Sequence, residues 1–500
     1  MMTFVRALPL LAVFTAAPIA AQDEVPPTLS LEQAVEIART GNPGFLQTRN
    51  DADLADWEVR QAWGQLMPSA SASGGVSWQG SGETQLGGNI TLGDLGITNQ
   101  PSYYGSSYRL GVSYSLSWAS LLGPKQAKAQ RTTILATIDG AEANLTSGVT
   151  TAYVEILRQQ DAVRIAELQL ANAEFNLRLA RGQLEVGQVT PIDVGQAEIQ
   201  VGRAEVTVLQ ARNLETTSRM RLLQLLGLPV DQPFETTTMF ELAEPSWDLE
   251  GLEAMALERN PELRIRRTSL SAQEVAMSQS WSEYLPTMAI STGWSGFTRE
   301  ASTTEFQIAQ AQQGVASTIA QCVLTNDLYS RLADPLPPID CGQFAFTDAQ
   351  RNAITGANDQ FPFDFVGSPP TVSLSVSIPI FTGMSRQRNR AATRIERDDR
   401  IHQLREQELA LQADLAIGLE NLRTAYESAL LEDRNRVLAE QQLNLARERY
   451  QLGAITFVEL VDAQTLLARA EADRTIAVFA YHDAVTNLEA LVGAPLRFQN

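Results

Sequence analysis

Between Leu145 and Gly187 a large apolar residue returns at every seventh position: Val149, Ile156, Val163, Leu170, Leu177 and Leu184. Four residues before each stand Leu145, Ala152, Gln159, Ala166, Ala173 and Ala180, so a column of large residues runs beside a mostly small one. A strict seven-residue repeat makes a helix coil left-handedly on a second helix, and alanine on half of the seam lets the two axes approach closely. At a rise of about 1.5 Å per residue, the run from Lys125 to Val186 predicts a rod roughly 90 Å long. No globular core built from this chain needs such a length. The pattern stops at Glu-Val-Gly-Gln-Val-Thr-Pro, residues 185–191, where Gly187 can close one helix and Pro191 can open the next. The rod therefore turns and runs back.

Residues 1–21 read as an export signal: Arg6, an apolar run from Ala7 to Phe14, then small residues through Ala20 and Ala21. The run is too short for a membrane anchor. The mature chain is expected outside the cytoplasm. A formal charge of −20 argues against nucleic acid as a partner, since that partner requires clustered Lys and Arg. Two histidines, His402 and His482, and two cysteines, Cys322 and Cys341, leave little material for a metal site, a cofactor or a nucleophile. No metal, no cofactor and no catalysis are expected.

An internal repeat sets the domain organisation. Leu31-Glu32-Gln33-Ala34-Val35-Glu36-Ile37-Ala38, followed by Asn42-Pro43, matches Leu249-Glu250-Gly251-Leu252-Glu253-Ala254-Met255-Ala256, followed by Asn260-Pro261. That match carries ungapped to Met67-Pro68 and Leu285-Pro286. A second one joins Gly187 to Gly453 and continues to Leu226-Gly227-Leu228-Pro229 and Val492-Gly493-Ala494-Pro495. Two copies of one unit, residues 29–236 and 247–495, account for the mature chain. Each reads as helix, strand, loop, strand, long helix, turn, long helix.

Four segments change from helical period to period two. Tyr108, Leu110, Val112, Tyr114, Leu116 and Trp118 alternate with small or polar residues, as do Val372, Leu374, Val376, Ile378 and Ile380; Ala70–Trp78 and Met288–Trp294 are weaker versions. Each segment is long enough to cross a bilayer as a tilted strand, with Trp78, Trp118, Trp294 and Tyr108 placed to form aromatic girdles. A half-buried sheet in a soluble sandwich gives the same alternation. Four strands cannot close a barrel, and open edges are not tolerated in lipid. Several chains must contribute, and three would supply twelve strands.

The loop at residues 298–370 is much longer than its counterpart and holds both cysteines. In an exported protein Cys322 and Cys341 most simply form a disulfide, contributing roughly 3 kcal/mol by loop-closure entropy. A redox or metal pair would need soft ligands that the neighbouring sequence lacks. In the second arm Leu411, Leu415, Leu422, Ala425, Ala439, Leu443, Ala446 and Tyr450 continue the heptads, interrupted at Glu432 and Arg436. Thr151-Ala152-Tyr153 resembles Thr424-Ala425-Tyr426 at an offset one heptad longer than that of the turns, so the same side of the helix faces inward.

The duplicated Asn-Pro helices, the strand-turn prolines and the paired turns Leu184–Val194 and Tyr450–Leu460 resemble the TolC family of outer-membrane efflux ducts. The resemblance covers nearly all of the mature chain. It implies a mixed α/β membrane protein: a homotrimer whose twelve-stranded β-barrel, four strands per chain, sits in outer-membrane lipid and continues as a coiled-coil helical tunnel through the periplasm. It also implies a periplasmic adaptor protein and an inner-membrane transporter as partners. In this family, carboxylates near the second turn line the narrowest aperture, and Glu459 and Asp462 fall on those positions, three apart on one helical face. Three chains would place six carboxylates in a narrow lumen, favouring bound cations and raising the pKa of some members. Tyr450 and Asp193 match residues that lock the closed turns, while Ile455 replaces an expected basic residue. Val186, Gly187, Leu452 and Gly453 would form the adaptor-facing tips.

The expected function is a passive exit duct. Drug efflux, metal export and type I protein secretion are not distinguished, since those choices reside largely in the partners. The alternative from another class is a soluble exported scaffold or adaptor that uses its rods for protein contacts.

Overall fold

The computed structural model describes residues 26–82, 85–87, 90–91, 100–334, 336–452 and 454–497. The export signal expected over residues 1–21 and the tip residue Gly453 lie outside them. The chain divides into two compact units: Met1–Val59, Lys125–Ser278 and Arg390–Asn500 form the first, and Arg60–Pro124 and Gln279–Asn389 the second. In chain order the strands are β1 (Thr28–Leu29), β2 (Ser69–Gln79), β3 (Gln85–Gly87), β4 (Ile90–Thr91), β5 (Tyr103–Leu116), β6 (Glu235–Thr236), β7 (Thr287–Ala301) and β8 (Val366–Ser377). The helices are α1 (Leu31–Gly41), α2 (Pro43–Gly64), α3 (Trp118–Glu185), α4 (Pro191–Leu226), α5 (Leu249–Arg259), α6 (Pro261–Ser280), α7 (Glu305–Ser330), α8 (Asp348–Ala357), α9 (Ser385–Gln451) and α10 (Phe457–Val492).

The first unit is helical. Its rods α3 and α9 run for 68 and 67 residues and turn back into α4 and α10, each of 36 residues. At a rise of about 1.5 Å, α3 is on the order of 100 Å long. Beyond the hairpin bases the seam between α3 and α4 is thin: Ala166 packs with Val208 and Ala211, flanked by Val163 and Leu170. The dense cores sit at the bases. In the first repeat Leu31, Ala34 and Ala38 of α1 pack on Val149, Tyr153 and Ile156 of α3 and on Leu222, Leu223 and Leu226 of α4. In the second, Leu252 and Ala256 of α5 pack on Leu411, Leu415 and Leu422 of α9 and on Val485, Leu488 and Val492 of α10. Each fully buried large side chain contributes about 1.5–3 kcal/mol, so the bases carry most of the hydrophobic stabilisation of this unit.

The two Asn-Pro steps perform one task twice. The Asn42 amide donates to the Leu225 carbonyl at 2.7 Å and its oxygen accepts from the Phe45 N–H at 2.8 Å. Asn260 donates to the Leu491 carbonyl at 2.8 Å and accepts from the Leu263 N–H at 2.8 Å. One side chain thereby caps the start of α2 or α6 and satisfies a carbonyl that the end of α4 or α10 leaves open. The partner helix ends at a left-handed glycine, Gly227 with φ 78° or Gly493 with φ 74°.

The second unit holds an antiparallel sheet in the order β2-β5-β7-β8, with β2 and β8 at its open edges. β5 begins earlier than the sequence alone predicts, at Tyr103, and β7 runs past Trp294 to Ala301, while two other strand ends fall short. β5 ends at Leu116, because Ser117 and Ser120 exchange backbone-to-hydroxyl bonds of 3.0 and 3.1 Å that start α3, so Trp118 is helical. β8 ends at Ser377, before Pro379, which has no N–H to give to a ladder. The stretch 298–370 is not an irregular loop: it contains α7 and α8, and the Cys322–Cys341 disulfide joins α7 to the turn after it with a Cα separation of 5.7 Å. Among the described residues no helix is long and apolar enough to cross a membrane.

Candidate functional site

The two helical turns are built alike. Gly187 takes φ 75°, its N–H donates to the Leu184 carbonyl at 3.0 Å, and the Gln188 N–H reaches the Gln183 carbonyl at 2.9 Å, which closes α3 in a Schellman arrangement. At the other turn the Ala454 N–H reaches the Arg449 carbonyl at 2.9 Å. The returning helices also start alike. The Thr190 N–H and hydroxyl both donate to Asp193 Oδ2 at 2.7 Å. The Thr456 N–H and hydroxyl donate to Glu459 Oε2 at 2.7 and 2.9 Å, and the Glu459 N–H donates back to the Thr456 oxygen at 3.3 Å. These are capping boxes, and the spacing Thr-x-x-Asp or Thr-x-x-Glu is their sequence signal.

Capping fixes the charge state of both acids. The Thr190 hydroxyl and, secondarily, its N–H hold the Asp193 carboxyl below the usual range. For Glu459 the Thr456 N–H acts first and the hydroxyl second, in the same direction. Both groups are solvated carboxylates at neutral pH, and within one chain the Glu459 carboxyl moves opposite to the rise expected from a crowded ring. Asp462, three residues on, is exposed on the same helix.

Asp193 and Tyr450 are not hydrogen-bonded to each other in the chain. The Tyr450 hydroxyl donates to Gln183 Oε1 at 2.8 Å instead. That bond is one rung of a polar seam between the two hairpins. Arg447 donates to Asn172 Oδ1 at 3.2 Å, and Asn176 and Gln464 exchange amide bonds of 2.5 and 3.2 Å. Asn172, Asn176 and Gln183 are four and seven residues apart, so they share one face of α3. Asn176 is buried, and its reciprocal pairing satisfies both ends of an amide that would otherwise be costly there. Where charge interrupts the α9 heptads, the bridge to α10 is made by Asp433, which accepts from Arg474 Nε at 2.7 Å; that bond holds the Asp433 carboxyl below its usual range. At the tips Val186 and Leu452 are 69% and 83% exposed, so two large apolar side chains stand in solvent beside the turns.

The sheet separates its two faces. Tyr108, Leu110, Val112, Tyr114 and Leu116 alternate along β5 with Ser107, Arg109, Gly111, Ser113 and Ser115. The register aligns Ser69 with Ser113, Ser113 with Ser291, and Ser291 with Ser373, a row of serines across all four strands. The outer pairs are hydroxyl-bonded at 2.8 and 2.7 Å. Four strands thus present one apolar face and one hydroxyl-covered face, with unpaired edges on β2 and β8.

The profile of the family described as outer membrane efflux protein matches residues 34–228 and 252–494. The chain belongs to this family, whose members are outer-membrane channel proteins, and its place is the outer membrane. Among curated relatives, the pyoverdine export outer membrane protein OpmQ of Pseudomonas aeruginosa is 27% identical over 171 residues, 33% of this chain and 34% of the relative. The matches span between 34% and 55% of the lengths of such curated relatives. The solved outer-membrane channel OprN aligns with TM-score 0.65 at 15% identity, covering 93% of this chain and 90% of its own. The Campylobacter jejuni CmeC outer membrane channel aligns with TM-score 0.67 at 12% identity, covering 93% and 85%. Four long strands and paired long helices in two repeats are the fold of these channels.

Proposed function

We propose that three copies of this chain form the outer-membrane exit duct of an efflux system, a passive channel opened at its periplasmic helical turns by an adaptor protein and an inner-membrane transporter. The observation that carries this reading is the four-stranded sheet with both edges open, one face apolar and the other covered in hydroxyls. Three such sheets joined edge to edge make a twelve-stranded barrel, which pairs every edge, turns the apolar face to lipid and lines the lumen with serine. In this reading residues 1–21 are removed on export, residues 29–236 and 247–495 are the two repeats, and the stretch 298–370 lies outside the cell. The duct itself performs no catalysis. Small molecules are the favoured cargo, because relatives of this chain are named for export of pyoverdine, antibiotics and toluene.

The closed state is assigned to the seam between the hairpins, with Tyr450 on Gln183 and Asn176 on Gln464 as its breakable bonds. Asp193 then serves through its cap rather than through Tyr450. Glu459 and Asp462 of three chains line the aperture, and Val186, Gly187, Leu452 and Gly453 face the adaptor.

Conductance of the mature protein in a planar bilayer tests this reading, with wild type compared against Glu459→Gln/Asp462→Asn. Glutamine preserves the capping box while removing its charge, so helix start and aperture charge are separated. The expected result is a small cation-selective conductance that divalent cations block in wild type and not in the variant. Folded, membrane-inserted protein that never conducts would reject the duct, and identical channels from both proteins would reject the aperture assignment. A protein soluble without detergent would favour the scaffold alternative.

A further inference from the structure

The four long strands carry almost no charge. β2 and β8 have none, and β7 has Arg299 and Glu300 near its end. Both of these have partners: the Arg299 guanidinium stacks 3.8 Å above the Tyr103 ring, and Glu300 accepts from the Phe361 N–H at 3.1 Å. The remaining charge is Arg109, the seventh residue of the fourteen in β5 and so half-way along it. It is exposed and has no hydrogen bond or ion pair among the described residues.

Position decides which way this cation works. Arg109 lies in register with Ser73 on β2 and Ser295 on β7. By the alternation of β5 it belongs to the hydroxyl face, whereas Tyr108 and Leu110 on either side belong to the apolar one. A hollow of about 440 Å³ opens there, and Ser73, Gly75, Ser107, Arg109, Ser295 and Phe297 line it. Its partners in register, Ser73 and Ser295, are short, and the guanidinium is exposed. A cation at this depth would be costly in lipid and is tolerated in a wet lumen. A structural arginine would have a carboxylate, a carbonyl or a ring to hold; among the described residues this one has none, and its field is left to the space in front of it.

We infer that Arg109 of three chains forms a cationic ring half-way along the barrel lumen, a binding and selectivity site for anionic solutes. The inference rests on the trimeric duct proposed above. The ring runs against the balance of a chain whose net charge is −20 and whose turns offer carboxylates. An anion released past the turns meets an attractive station before the exit, and an entering cation meets a barrier.

Reversal potentials in KCl gradients read the ring directly. The background is Glu459→Gln/Asp462→Asn, so that carboxylates at the turns do not mask the barrel. Replacing Arg109 with alanine should lower the chloride-to-potassium permeability ratio roughly two- to fivefold near 0.1 M salt, where the screening length is about 10 Å. Arg109→Glu should lower it further, Arg109→Lys should keep it, and the differences should collapse near 1 M, where screening shortens to about 3 Å. Equal ratios from conducting wild-type and Arg109→Glu channels would overturn the ring while leaving the duct intact. If no protein conducts, the duct fails and the ring fails with it. A second measurement does not depend on the turns. Both native cysteines are in the disulfide, so Arg109→Cys carries a single free thiol. Water-soluble reagents should label it in detergent-solubilised trimers and in liposomes, and a thiol that resists them in both would overturn its placement in the lumen.

Discussion

Gly227, at the base of the first hairpin, and Gly187, at its turn, share a left-handed backbone, with φ 78° and 75°. A Cβ built on Gly227 would stand 2.1 Å from the Gly41 carbonyl oxygen, while one built on Gly187 would meet nothing within 4 Å. The same glycine stop closes a helix against a packed neighbour at one end and in open solvent at the other. The caps differ in the same sense. Asn42 is bonded to both α2 and α4, whereas Asp193 serves its own helix alone. The ends at the base are thus held by packing against a neighbour as well as by local caps, whereas those at the turn rest on local chemistry alone.

Substitution of the two glycines gives the largest expected contrast. Gly227→Val forces a branched side chain into the Gly41 backbone as well as into a left-handed conformation, and should cost about 3 kcal/mol or more. Gly187→Val meets only the backbone term, about 1–2 kcal/mol confined to the turn. Thermal melting of the purified protein checks both, and equal losses would break the contrast between base and turn.

Acid should act on a base as well, through His482. Its ring is buried among Phe240, Phe479 and Tyr481, and Arg497, whose guanidinium stacks over Phe240, donates to the His482 carbonyl at 2.8 Å. Burial first, then the Arg497 charge, push the imidazole from 6.5 down to about 4. The unfolded chain takes up this proton near pH 6.5 and the folded chain only near pH 4. Stability from this site is therefore complete above 6.5 and falls as pH drops toward 4, with a loss of roughly 3 kcal/mol at the lower limit. His482→Phe should flatten the melting-temperature profile across that window; an unchanged slope would assign the acid sensitivity elsewhere.

The smallest effect belongs to the seam. Tyr450→Phe removes the bond to Gln183, worth about 1 kcal/mol locally. Amide exchange near the turns should quicken while the melting temperature stays put, and a lower melting temperature would mean that the turns are not independent of the bases.

Much of this architecture is legible in the residues. The heptads from Leu145 give the rods, the alternation from Tyr108 gives a strand, and the Asn-Pro duplication gives the two clamps, because each is a periodic or local pattern. At Trp118 the sequence misleads because the alternation persists two residues beyond the strand, while the Ser117–Ser120 exchange decides where the helix begins. The capping partners of Asp193 and Glu459 could have been found from the Thr-x-x-acid spacing. The helix α7 has no charge between Glu305 and Asp327 and no side-chain cap, so it reads as a featureless loop. The seam was beyond reach, since Asn176 and Gln464 are 288 residues apart and only the packing of two hairpins brings them together.

The serine row from Ser69 to Ser373 crosses all four long strands. A hydroxyl both gives and accepts, so serines in register can satisfy one another, as the outer pairs already do. A surface occupied with itself offers a passing molecule few free donors or acceptors to cling to. Apart from the Arg109 guanidinium, such a wall stays wetted yet holds little, so it would sort passing solutes only where that charge stands.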